Sequence, residues 1–119
     1  PGQLNQVFMN LFANAIDVLE GKAQTDKSFI PIISVSTELV NRNSVRVRVA
    51  DNGDGMREEV KNKLFDAFFT TKPEGKGTGL GLSISYQIIT EIHGGTLECF
   101  SLEGEGTEFL IQIPIMGRE

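Results

Sequence analysis

From Gln3 to Glu20 the apolar residues Leu4, Val7, Phe8, Leu11, Phe12, Ala15, Ile16 and Leu19 recur at spacings of three and four. That period predicts an amphipathic helix with one wide buried face. Gln6, Asn10, Asn14 and Asp17 fall in a narrow line along the border of this face, with Val18 close beside Asn14. A solvent boundary would account for polar residues there. Asparagine, however, forms helices less readily than the lysine or glutamate that usually fills such positions, and two of them one turn apart favour a seam that lines a pocket. Gly21 is expected to end the helix, with Lys22 to Ser28 as a loop.

The period then changes to two. Ile33, Val35, Thr37 and Leu39 alternate with Ser34, Ser36 and Glu38, and Val45, Val47 and Val49 alternate with Arg46 and Arg48 around a turn at Asn41 to Ser44. This predicts an antiparallel hairpin with one buried face and the arginines on a solvated one. A short helix follows from about Arg57 to Lys63, and a longer one from Leu80 to His93 carries Leu80, Leu82, Ile84, Tyr86, Ile88, Ile89 and Ile92. Thr96 to Leu102 and Thr107 to Ile113 read as a final hairpin around Glu-Gly-Glu-Gly, and Pro114 ends the last strand. The tail from Met116 to Glu119 is expected to fray.

Two glycine-bearing loops interrupt these elements. The second strand runs directly into Asp51-Asn52-Gly53-Asp54-Gly55-Met56, where two glycines let the backbone approach a flat ligand and the Asp51 carboxylate can accept a hydrogen bond from an amine. Taken alone this is an ordinary Asp/Asn/Gly turn. It lacks the further oxygen ligands and terminal glutamate of a calcium loop. The second stretch, Thr70 to Ser85, places Gly75, Gly77, Gly79 and Gly81 at alternate positions between Lys72, Lys76 and a helix start. A glycine loop feeding a helix N-terminus offers unpaired N–H groups and a positive dipole end to a phosphate. Its spacing fits neither the P-loop nor the dinucleotide-binding fingerprint. Phe65, Phe68 and Phe69 are expected to anchor one end of this loop.

Composition narrows the function classes. The chain has 119 residues, 39% of them apolar, which suits one compact domain. A net charge of −5 with both signs interspersed argues against a nucleic-acid binder. The single Cys99 cannot form an internal disulfide, and no apolar run approaches the roughly 18 residues of a membrane span, so a cytoplasmic domain without membrane contact is expected. The chain begins at Pro1 and enters a helix almost at once, which reads as a fragment of a longer protein.

The order of these features resembles the catalytic and ATP-binding domain of bacterial two-component sensor histidine kinases, within the Bergerat-fold (GHKL) ATPase superfamily. QVFMNLFANAID is similar to the N box, DNGDGM to the first glycine box, LFDAFFTTK to the F box, GKGTGLGLS to the second glycine box and GEGTEF to the last one. The resemblance covers nearly the whole chain. It implies an α/β two-layer sandwich: a mixed, largely antiparallel sheet of about five strands with about three helices on one face and nucleotide between helices and lid. The family usually has a strand before the first helix, so an edge strand is expected to be missing here.

Site roles follow from the same resemblance. Asn14 would supply an oxygen to Mg²⁺, and Asn10 would sit near the phosphates. Asp51 would accept the adenine amine, Gly53 and Gly55 would let the ring slide against backbone, and Thr107 would support that contact through water. Gly77, Thr78, Gly79, Leu80 and Gly81 would wrap the triphosphate, with Lys72 or Lys76 adding charge. Asp17 and Val18 depart from the basic and aromatic residues that several members carry there, so Asp17 is expected to point away from phosphate or act through Mg²⁺ or water.

Related topoisomerase, mismatch-repair and chaperone ATPases have a glutamate at the position of Asn10. An asparagine amide cannot act as a general base, so slow hydrolysis is implied. The expected function is a histidine autokinase that donates the γ-phosphate of MgATP to a histidine on a separate dimerisation domain, with a response regulator downstream. His93, beside Gly94 at a helix end, is not that acceptor. The isolated domain is expected to be monomeric and the parent protein a homodimer. The alternatives are an anti-sigma-factor-type serine kinase of the same fold and a degenerate nucleotide-binding regulatory module.

Overall fold

The computed structural model describes residues 2–65 and 81–114. Helix α1 (Gly2–Thr25) buries Val7, Leu11, Ala15 and Leu19 along one stripe. Leu4, Phe8 and Phe12 flank it, partly buried. Ile16 remains 46% exposed, so the buried face is narrower than the periodicity predicts. Gly21 does not end the helix. It faces open space, where the missing side chain costs only about 1 kcal/mol of propensity, and the turn continues through Lys22 and Ala23. The stop comes at Thr25, whose hydroxyl donates to the Lys22 carbonyl (3.1 Å), and at Asp26, whose carboxylate accepts from the Ser28 N–H (3.1 Å) and hydroxyl (2.7 Å). The Ser28 bonds hold the Asp26 carboxyl below its ordinary value.

Strands β1 (Ile33–Asn41), β2 (Ser44–Asp51), β3 (Thr96–Ser101) and β4 (Thr107–Pro114) form a sheet in the order β1-β2-β4-β3. Every pairing is antiparallel. The expected sheet was mixed, largely antiparallel and about five-stranded, with an edge strand expected to be missing; among the described residues it has four strands, and its pairing is wholly antiparallel because two hairpins joined through β2 and β4 need no crossover. Helices α2 (Glu58–Asn62) and α3 (Gly81–Gln87) are the other α-helices among the described residues, and α3 runs on into a π-helical turn, Ile88–Ile92. The predicted continuous helix is therefore widened where the His93 N–H reaches the Ile88 carbonyl (3.1 Å), and the adjacent Ile88 and Ile89 both lie in the core. Gly94, at φ +67°, ends the element, with the Gly95 N–H on the Ile89 carbonyl (2.8 Å).

Alternation along the strands builds the core. Val47, Ile111 and Leu97 form one register row, and Val49, Phe109 and Cys99 the next, all packed beneath Val7, Leu11, Ile88 and Ile89. Burial pushes the Cys99 thiol up to about 12, so at neutral pH it is a small apolar filler rather than a nucleophile. The first hairpin buries its inner face on β2 only. On β1, Val35 (51%) and Leu39 (66%) stay exposed, because the core cluster is built over β2, β4 and β3 and only Ile33 of β1 packs against it. The other sheet face is solvated as expected, with Arg48 on Glu108 (2.6 Å) and Arg46 on Glu38 (3.5 Å). Exposed pairs of this kind contribute ~0–1 kcal/mol each.

Candidate functional site

At one end of the sheet the inward row changes character. Ser101, Thr107, Asp51 and Ile33 are successive register partners across β3, β4, β2 and β1. Three polar residues thus replace the valines and isoleucines of the rows below. The Gly53 N–H donates to Asp51 Oδ1 at 2.8 Å, and the carboxylate keeps capacity to accept from a ligand amine. Burial pushes the Asp51 carboxyl above its ordinary value, while the Gly53 bond opposes that shift.

The glycines of this end are required by close approach. A Cβ on Gly53 would lie 2.7 Å from Val18 Cγ1 and 3.0 Å from Asp51 Oδ1, so the loop backbone rests directly on α1. Gly55 (φ +73°) faces the Leu102 carbonyl and Gly106 (φ +94°) faces the Asp51 carbonyl, both too close for a side chain. The loop after β2 and the turn before β4 are therefore interlocked, and the Gly104 N–H donates to the Asp54 carbonyl (2.5 Å). Asn52 ties in the approach to β1: its Oδ1 accepts from the Ile32 N–H (2.8 Å) and its Nδ2 donates to the Ile30 carbonyl (2.9 Å). Lys22 braces the other side, 2.9 Å from Asp54 and 4.6 Å from the centre of the Phe29 ring.

The asparagine seam connects this end to α3. Asn10 Nδ2 donates to Ser85 Oγ at 3.2 Å, and Ser85 is fully buried. Val18, two turns further along α1, touches the glycine loop, and half-buried Asn14 lies midway. One helix edge thus carries Asn10 beside α3, Asn14 next, and then the Asp51 loop. Asp17 is exposed on the same helix. Phe65 stacks on Tyr86 (5.1 Å) and meets Phe109 edge-on (6.4 Å), which ties it to the core, while the glycine loop it was expected to anchor lies outside the described residues. Gly81 opens α3. Lys72, Lys76, Gly77, Thr78, Gly79 and Leu80, with Phe68 and Phe69, lie outside the described residues.

Ser101, Ser85 and Asn52 escaped the sequence reading. The first two carried a signal: each stands at an inward position of an otherwise apolar series, Leu97-Cys99-Ser101 on β3 and Ser85 among Leu82, Ile88 and Ile89 on α3. A groove of about 330 Å³ also runs between α1 and the start of β1, lined by Ile16, Leu19, Glu20, Ala23, Pro31 and Ile33. It is mostly apolar and carries none of the seam residues, so we place the site at the Asp51 end.

Among the described residues no group of three or more His, Cys, Asp or Glu side chains could hold a metal. An all-protein cage is therefore not formed there. The Asn14 side-chain oxygen is the donor type that Mg²⁺ prefers, and it would suit an ion completed by phosphate and water. No helix among the described residues is long and apolar enough to cross a membrane.

Comparison with known proteins agrees with this geometry. The family model described as histidine kinase-, DNA gyrase B-, and HSP90-like ATPase matches residues 1–116. The chain is 39% identical over 113 residues to the two-component sensor PprA of Pseudomonas aeruginosa, covering 95% of this chain and 12% of that protein. It is 39% identical over 115 residues to sporulation kinase E of Bacillus subtilis, covering 97% of this chain and 14% of that one. The chain thus spans a small part of the curated relatives it matches. Among solved structures, the nucleotide-free catalytic domain of histidine kinase ThkA superposes with a TM-score of 0.75 at 38% identity, covering 95% of this chain and 67% of that one. The sheet with its interlocked glycine turns, the asparagine seam and these matches together make the chain a member of the histidine kinase-, DNA gyrase B- and HSP90-like ATPase family, as a histidine kinase ATPase domain.

Proposed function

We propose that this chain binds MgATP and presents its γ-phosphate to a histidine on the dimerisation domain of the same protein, for onward transfer to a response regulator. The observation that carries the reading is the row in which Asp51 and Thr107 are register partners over a loop that only glycine can form, reached by the helix edge bearing Asn10 and Asn14. The adenine amine donates to Asp51. The ring lies against backbone at Gly53 and Gly55, and the phosphates run along the asparagine seam towards α3.

Asn14 would hold Mg²⁺ through its side-chain oxygen, and the metal would supply charge neutralisation at the phosphates. Asn10 orients but takes no proton, since a carboxamide is no base at neutral pH. Water at the γ-phosphate is therefore not activated by this residue, and the phosphoryl group survives for an acceptor outside the domain. Lys72, Lys76 and residues 77 to 80 would close over the triphosphate. The domain works in the cytoplasm on this reading, as a monomer when isolated and within a homodimer in the parent protein.

The metal role has its own test. Asn14→Ala is expected to weaken MgATP binding by roughly tenfold, the scale of a single polar interaction, while binding of ATP in EDTA stays close to wild type. Calorimetric titration with and without Mg²⁺ measures both. An equal loss in the two conditions would remove Asn14 as the ligand.

A further inference from the structure

The buried Ser101 hydroxyl touches three groups. It accepts from the Met56 N–H (2.9 Å), donates to the Gly106 carbonyl (3.0 Å) and lies 3.0 Å from Thr107 Oγ1. A serine hydroxyl has one hydrogen and two lone pairs. Gly106 is buried, so withdrawing the hydroxyl hydrogen from its carbonyl would cost the full penalty of an unmet acceptor. With that hydrogen committed and one lone pair taken by Met56, the remaining lone pair faces Thr107. The hydrogen between the two hydroxyls therefore belongs to Thr107.

This fixes the polarity of Thr107 towards the site. Its only hydrogen points at Ser101, and what it offers on the other side is an acceptor, next to the Asp51 carboxylate in the same register row. We propose that Ser101 is a specificity-determining positioning residue: it orders the Thr107 proton so that Thr107 and Asp51 together present acceptors to a 6-aminopurine and turn away a 6-oxopurine. An exocyclic amine satisfies such a pair directly. Through a bridging water the outcome is the same, because the water gives one hydrogen to Thr107 and directs the other at ring N1, an acceptor in adenine and a donor in a 6-oxopurine. The inference rests on the nucleotide reading above and adds the residue that sets its base selectivity.

The test compares affinities for MgATP and for MgITP, whose base carries a 6-oxo group. Wild type is expected to prefer ATP. Ser101→Ala frees the Thr107 hydrogen to rotate towards the ligand, and the ATP-to-ITP affinity ratio should fall about tenfold. Ser101→Thr, which keeps the hydroxyl, should restore it. In a Thr107→Ala background, Ser101→Ala should leave the ratio where Thr107→Ala alone put it, since the two act as one unit.

A parallel loss of both affinities at constant ratio in Ser101→Ala would show a merely structural serine and overturn the proposal. Should that variant fail to fold, Thr107→Ala leaves the two backbone bonds of Ser101 in place, and an unchanged ratio there overturns it equally. Absence of saturable ATP binding in wild type would instead defeat the nucleotide reading, and this inference with it.

Discussion

Asp51→Asn is expected to lower the affinity for ATP and for ADP alike by roughly 10- to 100-fold, because the substitution removes a charge-assisted hydrogen bond worth ~1.5–3 kcal/mol. The Gly53 N–H can still donate to the amide oxygen, so the loop keeps its shape. What changes is the atom left for the base: an amide nitrogen now meets the adenine amine, donor against donor. The empty protein should respond in the opposite sense. The native state holds the Asp51 proton more tightly than the unfolded chain, since burial raises its carboxyl above the ordinary value. Stability therefore falls as pH rises from the ordinary carboxylate value through the raised one, and the deficit persists at neutral pH. An asparagine at this position carries no such deficit. Without nucleotide the variant should melt no lower than wild type at pH 7, with the gap closing as pH falls through the carboxylate range. ATP affinity of the wild type should fall over that same range, as Asp51 takes up its proton. Unchanged binding of both nucleotides by the variant would remove Asp51 from the adenine contact.

Gly55→Ala should be the most damaging small change in the described fold. Its φ of +73° is already unfavourable for a side chain, and a methyl there would run into the Leu102 carbonyl, which belongs to backbone and cannot swing aside. Strain and overlap together predict a loss of ~3 kcal/mol or more, which for a domain of this size lowers the melting temperature by about 12 °C or more. Gly94→Ala is the matched control. Its φ of +67° is similar, but a Cβ there has nothing within 4 Å, so only the conformational strain of ~1 kcal/mol is expected. Thermal melts of the two variants separate them. Equal losses would mean that the interlock between the two glycine turns contributes nothing beyond dihedral preference.

The contrast between those glycines marks where reading the sequence succeeds and where it stops. Val7, Leu11, Ala15 and Leu19 were legible as one buried stripe because period 3.6 is a property of a single helix. The inward positions of β2, β3 and β4 were legible by alternation for the same reason. Alternation says nothing, however, about which strands the core covers, so Val35 and Leu39 carry an apolar pattern that the fold leaves exposed. Gly21 has the residue type of a helix stop but stands on open surface, where its cost is small enough for the helix to ignore. Asp51, Gly53 and Gly55 read alone as an ordinary turn and could be picked out only through the order of motifs along the chain. Ser101 and Ser85 left only the trace of an inward place in an apolar series, because a serine reads as polar surface until tertiary packing buries it. Both are settled by partners far along the chain, Met56 and Asn10, and such pairings leave no local trace.

On the proposed reading the Asp51 end of the sheet is an adenine nucleotide site that keeps ATP intact. Calorimetric titration of the chain with MgATP, with the γ-phosphate followed in the same sample over hours, tests it most directly. A saturable one-to-one isotherm complete below millimolar nucleotide, competition by ADP, and slow release of inorganic phosphate are expected. Heats that never saturate up to millimolar MgATP would contradict the site, and rapid phosphate release from the bound complex would contradict the role given to Asn10.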